Sequence, residues 1–402
     1  MTVATRIRDW NGATDPEALR RPPRRRLAAG VPGFVLAALV LAAGMGAASP
    51  LEGQMLGWQV DRPAAPALAD VPSPVVRVVG EPGRLTLQPA PCRSTPTAHL
   101  RERIVEVAIR EWIFFGVPVL DRVAGTRLLP PGLTGNGTRP DFQESRGWPG
   151  PLEEAEAVRV AASIAGYWAV TPEGSGIVAD QNRFWSQAGL GARWRSPWSA
   201  AFISWVMCEA GLETRDEFHR AIAHWRYVDQ AIRARDGAAP RAAYVAYELG
   251  EAVVEPGDMV CRARRPVYRT VAQRRAQMGS GASSHCDIVV AVDVEGGRIL
   301  GIGGNVLRSV GLKVLAGERH PDGGLTPVST PGSPLFAHLK LRADPVPSDA
   351  LTRSPTLQAA LTGPGGRFLG ERLTVISREL GLDLSTPPTS APVAGTPVEV
   401  MP

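Results

Sequence analysis

The stretch Ser196-Pro197-Trp198-Ser199-Ala200-Ala201-Phe202-Ile203-Ser204-Trp205 constrains this chain more than any other. It reads as the start of an apolar helix over 197–210, stopped by Gly211. Ser196 can act as N-cap, and Pro197 suits the first helical position, where a missing N–H costs nothing. Ser199 then falls near the third helical position, among unpaired backbone N–H groups at the positive end of the helix dipole. A hydroxyl there stands where developing negative charge is favoured. Two later segments supply partners, Ser284-His285-Cys286-Asp287-Ile288-Val289-Val290 and Gly303-Gly304-Asn305-Val306. Together they offer a nucleophile, a base and an orienting amide in chain order.

The surrounding pattern places these segments in an α+β domain. Apolar spacing through Leu100, Ile104, Val107, Ile109 and Ile113 predicts a helix over 98–116. A second helix is predicted over 152–169, with Glu153, Glu154 and Glu156 in its first turns, and another over 216–235. The Gly, Pro, Asn and Thr content of 127–151 predicts a long loop. Strand signals follow at 258–262, 288–292, 298–302, 306–314 and 335–341, which predicts a mostly antiparallel sheet of about five strands. Helices first and a sheet afterwards make α+β the expected class.

Export is the other strong signal. Arg20, Arg21, Arg24, Arg25 and Arg26 precede an uncharged run of Ala, Leu, Val and Gly over 27–49. This reads as a secretory signal or a membrane anchor, and either sends residues 50–402 out of the cytoplasm. The expected organisation is a disordered cytoplasmic segment 1–26, the apolar run 27–49, a Pro/Ala-rich linker 50–96, a folded domain 97–342 and a largely disordered tail 343–402 with one helix near 370–380. Much of the net charge of +5 belongs to those N-terminal arginines, so it is no nucleic-acid footprint. Neither Cys-x-x-Cys nor His-Glu-x-x-His spacing occurs, so neither metal nor cofactor is expected. Cys208 reads as a buried small hydrophobe, and Cys92 as a free thiol in a proline-rich loop.

Pro197-Trp198-Ser199-Ala200-Ala201-Phe202, Pro256-Gly257-Asp258, His285 and Gly303-Gly304-Asn305 follow the motif order of the cysteine- and histidine-dependent bacterial wall amidases, the CHAP group of papain-like enzymes. The chain resembles them over about residues 97–342, with Ser199 where they carry the nucleophilic cysteine. Glu111-Trp112-Ile113-Phe114-Phe115-Gly116 and His285-Cys286-Asp287-Ile288-Val289-Val290 also resemble the bacterial family known as domain of unknown function 2272, in which serine likewise occupies the motif. The resemblance implies a papain-like fold, with Ser199 as nucleophile, His285 as base and Asn305 orienting the base. It also implies antiparallel neighbours at 258–262 and 285–292, hence a Cys261–Cys286 disulfide in an oxidising compartment.

Each candidate has a plainer reading. A serine in a first helical turn commonly caps, a strand histidine is commonly buried and satisfied, and Asn305 after two glycines suits a tight turn. Asp287 shares a strand face with His285 and is a rival orienter, while Cys286 points the other way. Trp198 reads as packing or as the wall of a groove, and His224, between aromatic neighbours, as a lesser site-lining residue. The functional expectation is a cell-envelope amide hydrolase acting on peptidoglycan through Ser199, His285 and Asn305. Its alternative is an inactive binding or scaffolding module of the same fold. Expected partners are an envelope polymer and, through 27–49, the inner membrane.

Overall fold

The computed structural model describes residue 62, residues 68–129 and 154–382, and residue 384. The segments 1–26 and 27–49, and much of the 127–151 loop, lie outside the described residues. Among the described residues, no helix is long and apolar enough to cross a membrane.

The chain opens with a small hairpin, β1 (Val78–Val79) and β2 (Thr86–Leu87), followed by helix α1 (Thr97–Phe114). Strands β3 (Val119–Asp121) and β4 (Arg127–Leu128) precede helices α2 (Glu154–Trp168), α3 (Gly174–Ala188), α4 (Ser199–Ala210) and α5 (Trp225–Arg235). Next come β5 (Tyr244–Tyr247), β6 (Met259–Arg265), a short α6 (Val271–Arg275), β7 (Ser283–Asp293), β8 (Arg298–Val306) and β9 (Ser309–Arg319). Strands β10 (Leu325–Pro327) and β11 (Leu335–Leu341) and helices α7 (Ala350–Arg353), α8 (Pro355–Thr362) and α9 (Gly366–Leu380) complete the order.

The fold is α+β, but the sheet is larger than expected. It has nine strands in the order β4-β3-β9-β8-β7-β6-β11-β5, with β10 added on β9. Every pairing is antiparallel except β3 with β9. The additional strands are two to four residues long, and β3 is buried throughout, so no alternating pattern marks it in sequence.

Helix α4 is the centre of the molecule. All twelve of its residues are buried, as befits a helix apolar on every side. It packs on β7 and β8, with α1 and α2 beside it. The inward alternates of the sheet, among them Cys261, Cys286, Ile288, Val290, Ile302, Leu312 and Val314, join α4 in the main core. The opposite face carries a smaller cluster of Val260, Val289, Ile299, Leu315 and Leu325.

Two segments expected to be unstructured belong to this core. Within the supposed linker 50–96, Leu68, Val71 and Leu85 are buried and Arg77 forms a buried ion pair with Glu209 of α4. A glutamate on a wholly buried helix needs such a partner, and the 68–96 segment supplies it. Cys92 also bonds Cys208 of α4, so neither cysteine is free. Within the supposed tail 343–402 the helix expected near 370–380 is present as α9, and with the unexpected α7 and α8 it buries Leu351, Leu357, Leu369, Leu373 and Ile376. Buried Glu106 of α1 accepts hydrogen bonds from Ser354 Oγ and Thr356 N at the start of α8.

Candidate functional site

Helix α4 begins at Ser199, with Trp198 as its N-cap residue and no side-chain cap bond. Ser196 does not cap it, and Pro197 lies before it. Tertiary packing sets this start: the Trp198 ring lies between Phe115 and Tyr167, at centroid distances of 5.9 Å from each. Trp198 is 2% exposed, so it packs and does not wall a groove. Ser199 becomes the first helical residue, and the first intrahelical bond runs from Phe202 N to Trp198 O.

Ser199 meets a histidine, but it is His224. The Ser199 Oγ to His224 Nε2 distance is 2.7 Å. The segment 216–223, expected as the first part of a helix, is irregular and delivers His224 as the residue before α5. Ser204 Oγ of α4 pins it by donating to Ala221 O and accepting from Ala221 N. Gln230 of α5 adds bonds to Arg215 O, Asp216 O and His219 N. These bonds satisfy the backbone without helical pairing, which is why the apparent helical run begins only at Trp225.

The other nitrogen of His224 shows what the ring can do. His224 Nδ1 accepts from the Cys286 backbone N–H at 3.2 Å and also faces the Tyr227 hydroxyl. In β7 the Cys286 N–H points toward β8, but the ladder with β8 ends at Ile288↔Ile302. His224 fills the place where β8 peels away. A backbone N–H can only donate, so in the neutral ring Nδ1 is the acceptor and Nε2 carries the proton. His224 therefore donates to Ser199 Oγ. Burial, and then neighbouring His285, hold its pKa well below the usual histidine value, so the neutral form prevails.

His285 and Asp287 share a face of β7, as their spacing implied, and that face is turned away from α4. His285 Nε2 lies 2.9 Å from Asp287 Oδ1 and 2.7 Å from Lys313 Nζ. Lys313 Nζ also donates to Asp287 Oδ1 at 2.7 Å and Oδ2 at 2.8 Å. All three side chains are buried. Burial opposes the charge on Asp287, but Lys313 and His285 outweigh it and keep the carboxylate ionised. Burial, and then Lys313, push His285 down to about 3, against the pull of Asp287. Burial likewise lowers Lys313, to about 7. The two clusters touch only ring to ring, His224 and His285 having centroids 5.1 Å apart.

Asn305 orients neither histidine, since none of the bonds to either ring comes from it among the described residues. It sits at φ +54° inside the β8–β9 irregularity between Gly303 and Val306. Asparagine tolerates this left-handed backbone better than most residues. Its two glycines have steric reasons of their own. A Cβ on Gly303 would lie 2.1 Å from Asp287 Oδ1 and 3.0 Å from His285 Nε2; one on Gly304 would lie 2.5 Å from Phe202 Cβ of α4.

The expected Cys261–Cys286 disulfide is present, with Cα atoms 4.1 Å apart across directly opposed positions of β6 and β7. Two disulfides suit an oxidising environment. The residues missed in the sequence are Tyr227 and Lys313. Lys313 had a usable signal, a lone charge inside the apolar run Val310-Gly311-Leu312-Lys313-Val314-Leu315. Among the described residues, no group of histidine, cysteine or acidic side chains could hold a metal ion.

One comparison with known proteins bears on this site. Residues 160–322 match the family described as "Uncharacterized protein conserved in bacteria (DUF2272)". The matched stretch holds Ser199, His224, Tyr227, His285, Asp287, Asn305 and Lys313, and thus both clusters. No curated protein and no solved structure matches the chain.

Proposed function

We propose that this chain is an exported cell-envelope protein whose sheet around β7 binds a wall polymer, peptidoglycan in the first instance, without cleaving it. The observation that carries this reading is the surroundings of His224 Nδ1. Catalysis would need Nε2 free to take the Ser199 proton, with Nδ1–H held by an acceptor. Here Nδ1 receives a backbone N–H, and Nε2–H already points at Ser199. His285 is engaged on the opposite face by Lys313 and Asp287, and Asn305 serves the backbone. The arginine-flanked apolar run 27–49 supports export, either anchored or released, with residues 50–402 outside the cytoplasm, and the disulfides suit that compartment. The motif order shared with papain-like wall amidases supports peptidoglycan as the ligand.

Amide hydrolysis is the competing reading, and the 2.7 Å Ser199–His224 contact favours it, since a nucleophile must touch its base. A single experiment separates the two. The full chain, incubated with purified peptidoglycan, is expected to co-sediment with it and to release no soluble fragments. Ser199→Ala and Ser199→Cys are expected to behave alike. Fragments released by the native chain and lost in Ser199→Ala would make Ser199 a nucleophile and overturn the binding reading.

A further inference from the structure

The face of the sheet turned away from α4 carries more positive charge than its own acids neutralise. Arg262 stands directly opposite His285 in the β6–β7 register. Arg264 is the extra residue where that register shifts between Ala263 and Arg265, a bulge of the kind that re-aims a side chain. Arg122 follows β3, its backbone N–H bonded to Val314 O next to Lys313. Asp287 is the acid whose field acts on all three guanidiniums. Yet both Asp287 oxygens are already engaged by Lys313, and one also by His285. The carboxylate is committed inward and leaves the arginines to find another partner.

Arg262 Nε is buried and has no hydrogen-bond partner. Burying such a donor unmatched is costly, so an acceptor that reaches it is favoured. The cations also form a gradient of access, with Arg264 exposed, Arg122 and Arg262 half-buried and Lys313 buried. An approaching anion would meet increasing positive field and decreasing water along that path. Burial, and then the nearby Arg264, lower Arg262 to about 10, still charged at neutral pH.

We propose that Arg122, Arg262 and Arg264 form a binding site for one oxyanionic group, a carboxylate or a phosphate, above the Lys313–Asp287 pair. Guanidiniums grip either group through paired N–H donors, and the site needs no metal. This deepens the binding reading by naming the charge of the ligand, and rests on that reading only in taking the ligand to be a wall component.

The test is calorimetric titration of the full chain with inorganic phosphate and, separately, with an N-acetylated dipeptide bearing a free C-terminal carboxylate. The C-terminal amide of that dipeptide is the control. Saturable one-site binding is expected for at least one anion and none for the amide, weakening as salt rises. Saturation by phosphate alone assigns the phosphate source, and saturation by the peptide assigns the carboxylate. Arg262→Gln and Arg264→Gln are each expected to weaken binding by about tenfold or more. Arg264 is exposed, so its substitution leaves the fold in place, and Arg367→Gln, at an exposed position of α9, is expected to bind as the native chain does. Saturation by neither anion, or undiminished binding in both site variants, would overturn the proposal. If co-sedimentation with peptidoglycan then persists, only the anion site falls. If anion binding holds while co-sedimentation is absent, the wall reading falls and the site stands.

Discussion

The two faces of β7 belong to one strand and do opposite things with their polar groups. On the inner face, Ser199 and His224 are embedded among aromatic and aliphatic side chains, and every polar contact there is neutral. On the outer face, His285, Asp287 and Lys313 form a charged triad with three arginines around it. In the inner arrangement both His224 nitrogens are engaged, Nδ1 by the Cys286 N–H and Nε2–H by Ser199 Oγ, so no free ring nitrogen is left to activate the hydroxyl. The outer arrangement is satisfied only inward, with positive charge left facing solvent. A histidine-containing motif therefore need not mark the reactive side of a strand. Here the side with spare binding capacity is the one away from the motif serine.

The sharpest way to break this contrast is to uncouple the outer triad. Asp287→Ala leaves Lys313 buried beside His285 without its carboxylate, and is expected to cost about 3–5 kcal/mol in denaturant unfolding. Asp287→Ala combined with Lys313→Met is expected to recover part of that loss, because no charge is then stranded. Equal destabilisation of single and double variants would show that the triad is not an electrostatic unit.

Acid offers a second route. His285 has its folded pKa depressed from 6.5 to about 3, so as pH falls the unfolded chain takes up the proton first. Its contribution to stability is complete above pH 6.5 and is lost progressively toward pH 3. Between pH 6.5 and 4.5 the native chain is expected to lose roughly 1.4 kcal/mol per unit more than His285→Gln does. Parallel stability curves for the two proteins over that window would contradict the neutral, buried ring.

The adjacent glycines permit a finer comparison, since each serves a different face. Gly304→Ala pushes against Phe202 and is expected to cost about 1–3 kcal/mol through α4 docking. Gly303→Ala is expected to cost a similar or smaller amount, but to push Asp287 off Lys313 and His285, which weakens the depression of its folded pKa and so flattens the acid loss below pH 3.8. Indistinguishable pH profiles for the two variants would mean that the faces are not independent.

Much of this was legible in the chain. The α+β order, the apolar helix through Ser199 and the strands around 258–262, 288–292 and 335–341 follow from local periodicity, β-branched runs and turn residues, while the Cys261–Cys286 bridge follows from the family resemblance. The shared face of His285 and Asp287 follows from strand alternation alone. What local pattern could not carry was partnership across the fold. The serine's histidine was decided by an irregular segment, 213–223, held by Ser204 and Gln230 rather than by its own periodicity. The segments 68–96 and 350–380 read as linker and tail because they are rich in turn-formers, yet α4 and α1 needed what they supply. Arg77 answers a buried Glu209, and the α8 start answers a buried Glu106. Alternation and helical spacing are properties of a few consecutive residues, so they can be read in order. The protonation of His224, the face on which charge accumulates and the partners of buried acids depend on groups dozens of residues apart, and only the closed fold brings those together.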